Sequence, residues 1–118
     1  MKKFNYIHEI YVPDKYVNKN GKLVNLDMET HMQKIAKMLA SHGISGFSVR
    51  TEEGYYVHSN GDVNKTNNHI VYFYAEEYHG YHDITDYIMK NMHQETVLTK
   101  YYNMETKRHG AYMLDKYD

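Results

Sequence analysis

The sequence predicts an α+β domain in which one antiparallel sheet is backed on one face by two helices, with a short hairpin added at the C-terminal end. Three observations carry this expectation. Two segments place apolar residues at helical spacing, each introduced by an aspartate. Segments of alternating or continuous apolar character lie before, between and after them. A chain of 118 residues supplies one core for these elements, so residues 1–118 form a single domain.

Residues 4–12 read as a strand. Phe4, Tyr6, Ile10 and Val12 share one face with His8, while Ile7 and Tyr11 lie on the other with Glu9. Apolar residues on both faces predict a strand inside the sheet, covered on both sides. Pro13, the single proline, stops it. Residues 14–25 are polar, contain Asn20-Gly21 and read as a loop. Asp27 then caps a helix running to Ser41, with Met28, Met32, Ile35 and Leu39 on its buried stripe. Lys34 and Lys37 point away, and Gly43 terminates it.

Residues 44–51 alternate Phe47 and Val49 against Ser48 and Arg50, as a strand does. Glu53-Gly54 predicts a turn or bulge before residues 55–58. Within Ser59-Asn60-Gly61-Asp62, Asn-Gly accepts the positive φ values of a type I′ hairpin. The partner strand starts at Val63, is broken by Lys65-Thr66-Asn67-Asn68, and resumes over residues 69–75. There Ile70, Tyr72 and Tyr74 oppose Val71, Phe73 and Ala75. Asp83 predicts a second helix cap, with Ile84, Tyr87, Ile88 and Met92 on the buried stripe. Residues 96–102 alternate Val97, Thr99 and Tyr101 against Leu98, Lys100 and Tyr102. A polar turn leads to a last strand at residues 111–114. This order generates a ferredoxin-like βαββαβ sheet with both helices on one face, plus a C-terminal β-hairpin extension.

Composition narrows the function. Fourteen tyrosines and nine histidines give the strands side chains with an apolar body and a polar tip. Tyr6 or Tyr11, Tyr72 or Tyr74, and Tyr101 or Tyr102 are available to line the uncovered sheet face. A bare face of that kind predicts a homodimer or higher homo-oligomer. A formal net charge of −1 argues against strong nucleic-acid or anionic-membrane binding. The absence of cysteine removes disulfides, thiol catalysis and the common zinc sets, and suits a cytoplasmic location. No apolar run approaches the roughly 20 residues of a membrane helix, and residues 1–6 are not followed by an apolar signal segment.

Three segments together carry a resemblance: Glu9-Ile10-Tyr11-Val12-Pro13, Gly54-Tyr55-Tyr56 with Asn60-Gly61, and Ile70-Val71-Tyr72-Phe73-Tyr74. The combination resembles a loose family of small phage, prophage and plasmid proteins of ferredoxin-like type, over residues 4–102. Gln94-Glu95-Thr96-Val97-Leu98 is similar to the junction of last helix and last strand in such proteins. The family often has tryptophan and a following glutamate where this chain has Tyr56 and residues 64–66. The layout is also similar to dimeric α+β barrels and to trimeric signal-binding proteins of the nitrogen-regulator kind. The resemblance implies oligomerisation, a small-molecule site between subunits, and action on a host process such as a defence pathway.

Candidate chemistry is sparse. His79 and His82, beside Asp83, have imidazole and carboxylate groups that suit a divalent metal, or serve only the surface and the helix start. His8 and Glu9 face opposite ways and cannot act as a pair. His8 is a half-buried core histidine or a ligand contact; Glu9 needs a partner such as Arg50 or Lys100. Tyr55, Tyr56 and His58 either pack across the hairpin or stack on a base. Arg50 and Lys100 can neutralise a ligand's charge. No phosphate loop, nucleophile elbow or Ser/His/Asp pattern is present.

The expectation is therefore a non-enzymatic protein that holds a small polar, nucleotide-like ligand and sequesters a host signal. The ligand-binding set is His8, Glu9, Tyr11, Arg50, Tyr55, Tyr56, His58, Tyr72, Tyr74 and Lys100, with no catalytic residue, metal or cofactor. The alternative is an inhibitor or accessory factor that docks on a host protein through a tyrosine-rich patch.

Overall fold

Antiparallel pairing organises the chain in the computed structural model, which describes residues 1–57 and 60–116. The elements are β1 (Tyr6–Pro13), β2 (Lys15–Val17), β3 (Leu23–Asn25), α1 (Met28–Ser41), β4 (Ser48–Val57), β5 (Val63–Ala75), α2 (His82–Asn91), β6 (Thr96–Asn103) and β7 (His109–Asp115). Five strands form one sheet in the order β4-β5-β1-β6-β7, with every neighbouring pair antiparallel. Removing β7 leaves the second-third-first-fourth order of the ferredoxin-like sheet. The expected fold is present, with β7 as the C-terminal hairpin strand.

The helices form where their stripes and caps predict. In α1 the Asp27 carboxylate accepts from the Thr30 backbone N–H at 3.3 Å and from the Thr30 hydroxyl at 2.8 Å. Gly43 ends α1 at φ +81. Ile35 and Leu39 of α1 and Ile84, Ile88 and Met92 of the α2 region are buried against Ile10, Val12, Val71, Phe73 and Val97 of the sheet. Each such side chain stabilises the fold by about 1.5–3 kcal/mol.

Four expectations need correction. Residues 14–25 are not a plain loop: β2 and β3 pair as a small hairpin, Tyr16 opposite Val24. The Asn18 side chain makes its turn by accepting from the backbone N–H groups of Asn20 and Lys22, both at 2.9 Å. The polar run 65–68 does not break its strand either. Lys65 pairs with Glu53 at 3.0 Å and the Asn67 N–H donates to Asp14 Oδ1 at 3.0 Å, so β5 runs through and β4 passes Gly54 without a turn. The α2 cap position is Tyr81, left-handed at φ +52 with no side-chain cap; Asp83 sits in the first turn and bonds His42 Nε2 at 2.9 Å. Finally, β1 and β5 are central but covered by helices on one face only. On the other face Ile70 is nonetheless fully buried, between strand neighbours Tyr11 and Arg50. Long amphipathic side chains do there what a second layer would otherwise do.

Candidate functional site

Register places five expected site residues together on the open face. Glu9 lies opposite Tyr72 on one side and Lys100 on the other. The Arg50 guanidinium pairs with Glu9, approaches Glu52 at 3.4 Å and lies 5.3 Å from the Tyr72 ring centroid. Lys100 Nζ lies 5.0 Å from the Tyr11 ring centroid. Hydrogen bonds, to Glu9 for Arg50 and to the Tyr11 phenol for Lys100, push both cations' pKa values up. Glu9, Tyr11, Arg50, Tyr72 and Lys100 thus form one lattice, in which the Glu9 and Glu52 carboxylates balance its two cations. Tyr74 shares this face further along and meets Phe4 at 6.2 Å between ring centroids.

The remaining expected residues scatter. Tyr55 lies on the other face of β4 and is 61% exposed. Tyr56 returns to the open side, and His58 lies outside the described residues. His8 faces the helices. It is only 5% exposed, with its ring 5.0 Å from Tyr81, 5.6 Å from Phe73 and 5.8 Å from Tyr78. Burial, and secondarily the charge of His79, lower its pKa from 6.5 to about 4, so the imidazole is neutral at pH 7. Its Nε2 has no hydrogen-bond partner and borders a void of about 20 Å³, room for one water and not for a nucleoside. His79 turns to its own loop, accepting from the Tyr81 N–H at 2.9 Å. Among the described residues no three His, Asp or Glu side chains converge to hold a metal.

A larger opening lies between the β2–β3 hairpin, the base of the β4–β5 arm and the α2–β6 junction. It measures about 450 Å³, within the size range of small-molecule sites. Tyr16, Tyr56, Asn64, Thr66, His93 and Glu95 are among its walls. His93 adopts φ +57, and its ring lies 4.6 Å from that of Tyr16. The Gln94 amide donates to the Lys15 carbonyl at 2.8 Å and to the Met92 carbonyl at 3.1 Å, fixing the hairpin to the junction. The Glu95 carbonyl accepts from the Lys116 N–H at 2.8 Å, which anchors the backbone beneath the carboxylate. Three aromatic or imidazole residues (Tyr16, Tyr56 and His93), one acidic residue (Glu95) and one basic residue (Lys15) therefore line a single nucleoside-sized space.

Of the expected ligand-binding residues that are described, only Tyr56 lines this cleft. Sequence reasoning missed Tyr16, Thr66, His93 and Glu95 as site residues. Two signals pointed here: Gln94-Glu95 and residues 64–66 were both singled out by the family resemblance, without a role.

No family model matches the chain, and no curated protein matches it. Among solved structures it is similar to a phage SAM lyase in complex with S-methyl-5′-thioadenosine, at 13% identity and a TM-score of 0.72, over 98% of this chain and 95% of that one. It is also similar to a phage SAM lyase in the apo state, at 14% identity and a TM-score of 0.67, over 98% and 94% of the two chains. At these identities the shared property is the fold, and the expected likeness to small phage proteins holds at that level. The expectation of a non-enzymatic sequestering protein, or of an inhibitor of a host protein, is corrected by the same finding. The architecture matched here from end to end is one on which a lyase is built. No helix among the described residues is long and apolar enough to cross a membrane.

Proposed function

We propose that the chain is an S-adenosylmethionine lyase whose substrate occupies the cleft at the α2–β6 junction. The full-length likeness to a phage SAM lyase holding S-methyl-5′-thioadenosine supports this most directly. That thioadenosine is the part of S-adenosylmethionine released when the bond from the sulfonium sulfur to the methionyl γ-carbon breaks. Sulfur departs with the bonding pair as a neutral thioether, so no acid is needed to help it leave. The four-carbon remainder completes itself by closing its own carboxylate onto the γ-carbon or by losing a β-proton. Neither route takes up water. The protein's task is to hold the chain in a reactive shape and keep solvent out.

The cleft suits those tasks. Tyr16, His93 and Tyr56 offer ring faces to the adenine and the sulfonium. Glu95 supplies negative charge for the substrate's cationic groups, and Lys15 a positive charge for its carboxylate. The open-face lattice of Glu9, Tyr11, Arg50, Tyr72 and Lys100, with exposed Tyr74 beside it, serves the meeting of chain copies in a homo-oligomer.

Purified protein incubated with S-adenosylmethionine in ¹⁸O-water, followed by mass spectrometry, tests the assignment. Release of S-methyl-5′-thioadenosine with no ¹⁸O in the freshly formed four-carbon product is the expected result. Persistence of intact substrate overturns it, and prompt ¹⁸O incorporation makes the protein a hydrolase.

A further inference from the structure

Thr66 is 4% exposed, lines the wall of the cleft, and its hydroxyl has no hydrogen-bond partner. A buried hydroxyl in that state carries a desolvation cost that native proteins rarely leave uncompensated. Directly opposite in register stands Gly54, where a Cβ would approach the hydroxyl to 3.4 Å and the Asn68 amide nitrogen to 2.7 Å. The Asn68 side chain, whose Oδ1 is likewise buried without a partner, takes the space over Gly54 next to the hydroxyl. The same β5 stretch carries Asn64, also in the cleft wall.

We infer that Thr66 is a specificity-determining residue: its hydroxyl forms a direct hydrogen bond to a polar group of the nucleoside that enters the cleft. The inference rests on the lyase assignment above and adds to it the group that reads the ligand. A hydroxyl can donate one hydrogen bond and accept others, which matches the mixed donors and acceptors of adenosine's ribose and base edge. An aliphatic side chain of equal size would give the apo protein a better wall and the ligand a worse one. The two consequences have opposite signs, which a purely structural role for Thr66 does not produce.

The test uses Thr66→Val and Thr66→Ser with S-methyl-5′-thioadenosine as the probe, read by titration calorimetry, and apo melting temperature as the second measurement. Expected are about tenfold weaker binding for Thr66→Val, near wild-type binding for Thr66→Ser, and an apo melting temperature for Thr66→Val that is unchanged or higher. Equal affinity of Thr66→Val and wild type overturns the inference and leaves the lyase assignment standing. So does a melting temperature lowered by more than about 3 °C, since the hydroxyl then has a partner within the fold. Failure of the wild type to bind either the thioadenosine or S-adenosylmethionine overturns both.

Discussion

Among the described residues four buried side-chain polar atoms lack partners, and two of them, His8 Nε2 and Thr66 Oγ1, sit on opposite faces of the sheet and differ in what surrounds them. His8 Nε2, on the helix side, is sealed behind Phe73, Tyr78 and Tyr81 beside a void of about 20 Å³. Thr66 Oγ1, on the open side, lies in the wall of a cleft of about 450 Å³. The sealed atom can only cost stability, and it holds its ring neutral in doing so. The open one costs stability until a ligand arrives. An unsatisfied group points to function when the space next to it admits a molecule.

The comparison can be broken most forcefully at the cleft's carboxylate. Glu95→Gln should slow release of S-methyl-5′-thioadenosine by about 100-fold, measured by mass spectrometry under saturating substrate. Loss of similar size in His8→Phe would place the chemistry on the wrong side of the sheet.

The sealed site makes a prediction about acid. Burial holds the folded pKa of His8 near 4, against 6.5 for the exposed ring. The unfolded chain therefore binds more protons between those values, and stability falls as pH drops from about 6.5 toward 4. The difference amounts to about 2–3 kcal/mol between pH 7 and pH 4.5. His8→Phe should remove that part of the pH dependence, read as urea midpoints at both pH values. An unchanged slope would mean the ring is solvated.

A smaller effect belongs to the open-face lattice. A double-mutant cycle on Glu9 and Arg50 should give a coupling of about 1 kcal/mol that shrinks with salt, because Arg50 is largely in solvent. Sedimentation of Arg50→Ala in parallel tests the oligomer: a change in mass supports the open face as the meeting surface. Smallest of all, Tyr55→Phe should alter stability by less than about 0.5 kcal/mol and leave turnover within error. Tyr55 faces away from the cleft, whereas Tyr56→Ala should weaken thioadenosine binding measurably.

Much of the fold was legible because it is local. The stripe from Met28 to Leu39 and the Asp27 cap each speak through neighbours a few residues apart, whereas the two-residue hairpin expected at Asn60-Gly61 is not formed: β4 and β5 close at Val57 and Val63, and residues 58 and 59 of the connection lie outside the described residues. Glu9 could also be assigned a partner, since a carboxylate in mid-strand needs a cation and Arg50 and Lys100 were the choices. The cleft was not legible for the opposite reason. Tyr16, Tyr56, Thr66 and Glu95 come from three strands and the α2–β6 junction, far apart in sequence, and only tertiary packing brings them together. Residues 65–68 show the difficulty well: their polarity suggested a broken strand, yet the strand continues and Thr66 lines the cleft. The expectation of a passive binder is overturned by the end-to-end fold match to a phage SAM lyase, and under the proposed function its illegibility has a chemical reason. In that proposed reading the sulfonium substrate carries its own leaving group, and closure of its own carboxylate needs no protein nucleophile and base at recognisable spacing.

The Gln94 amide has a consequence beyond fastening two carbonyls. By gripping Lys15 on the hairpin and Met92 at the end of α2, it makes the mouth of the cleft one mechanical unit with the last helical turn. Loss of that amide would release the Lys15–Tyr16 strand from the junction at which the Tyr16 and His93 rings meet.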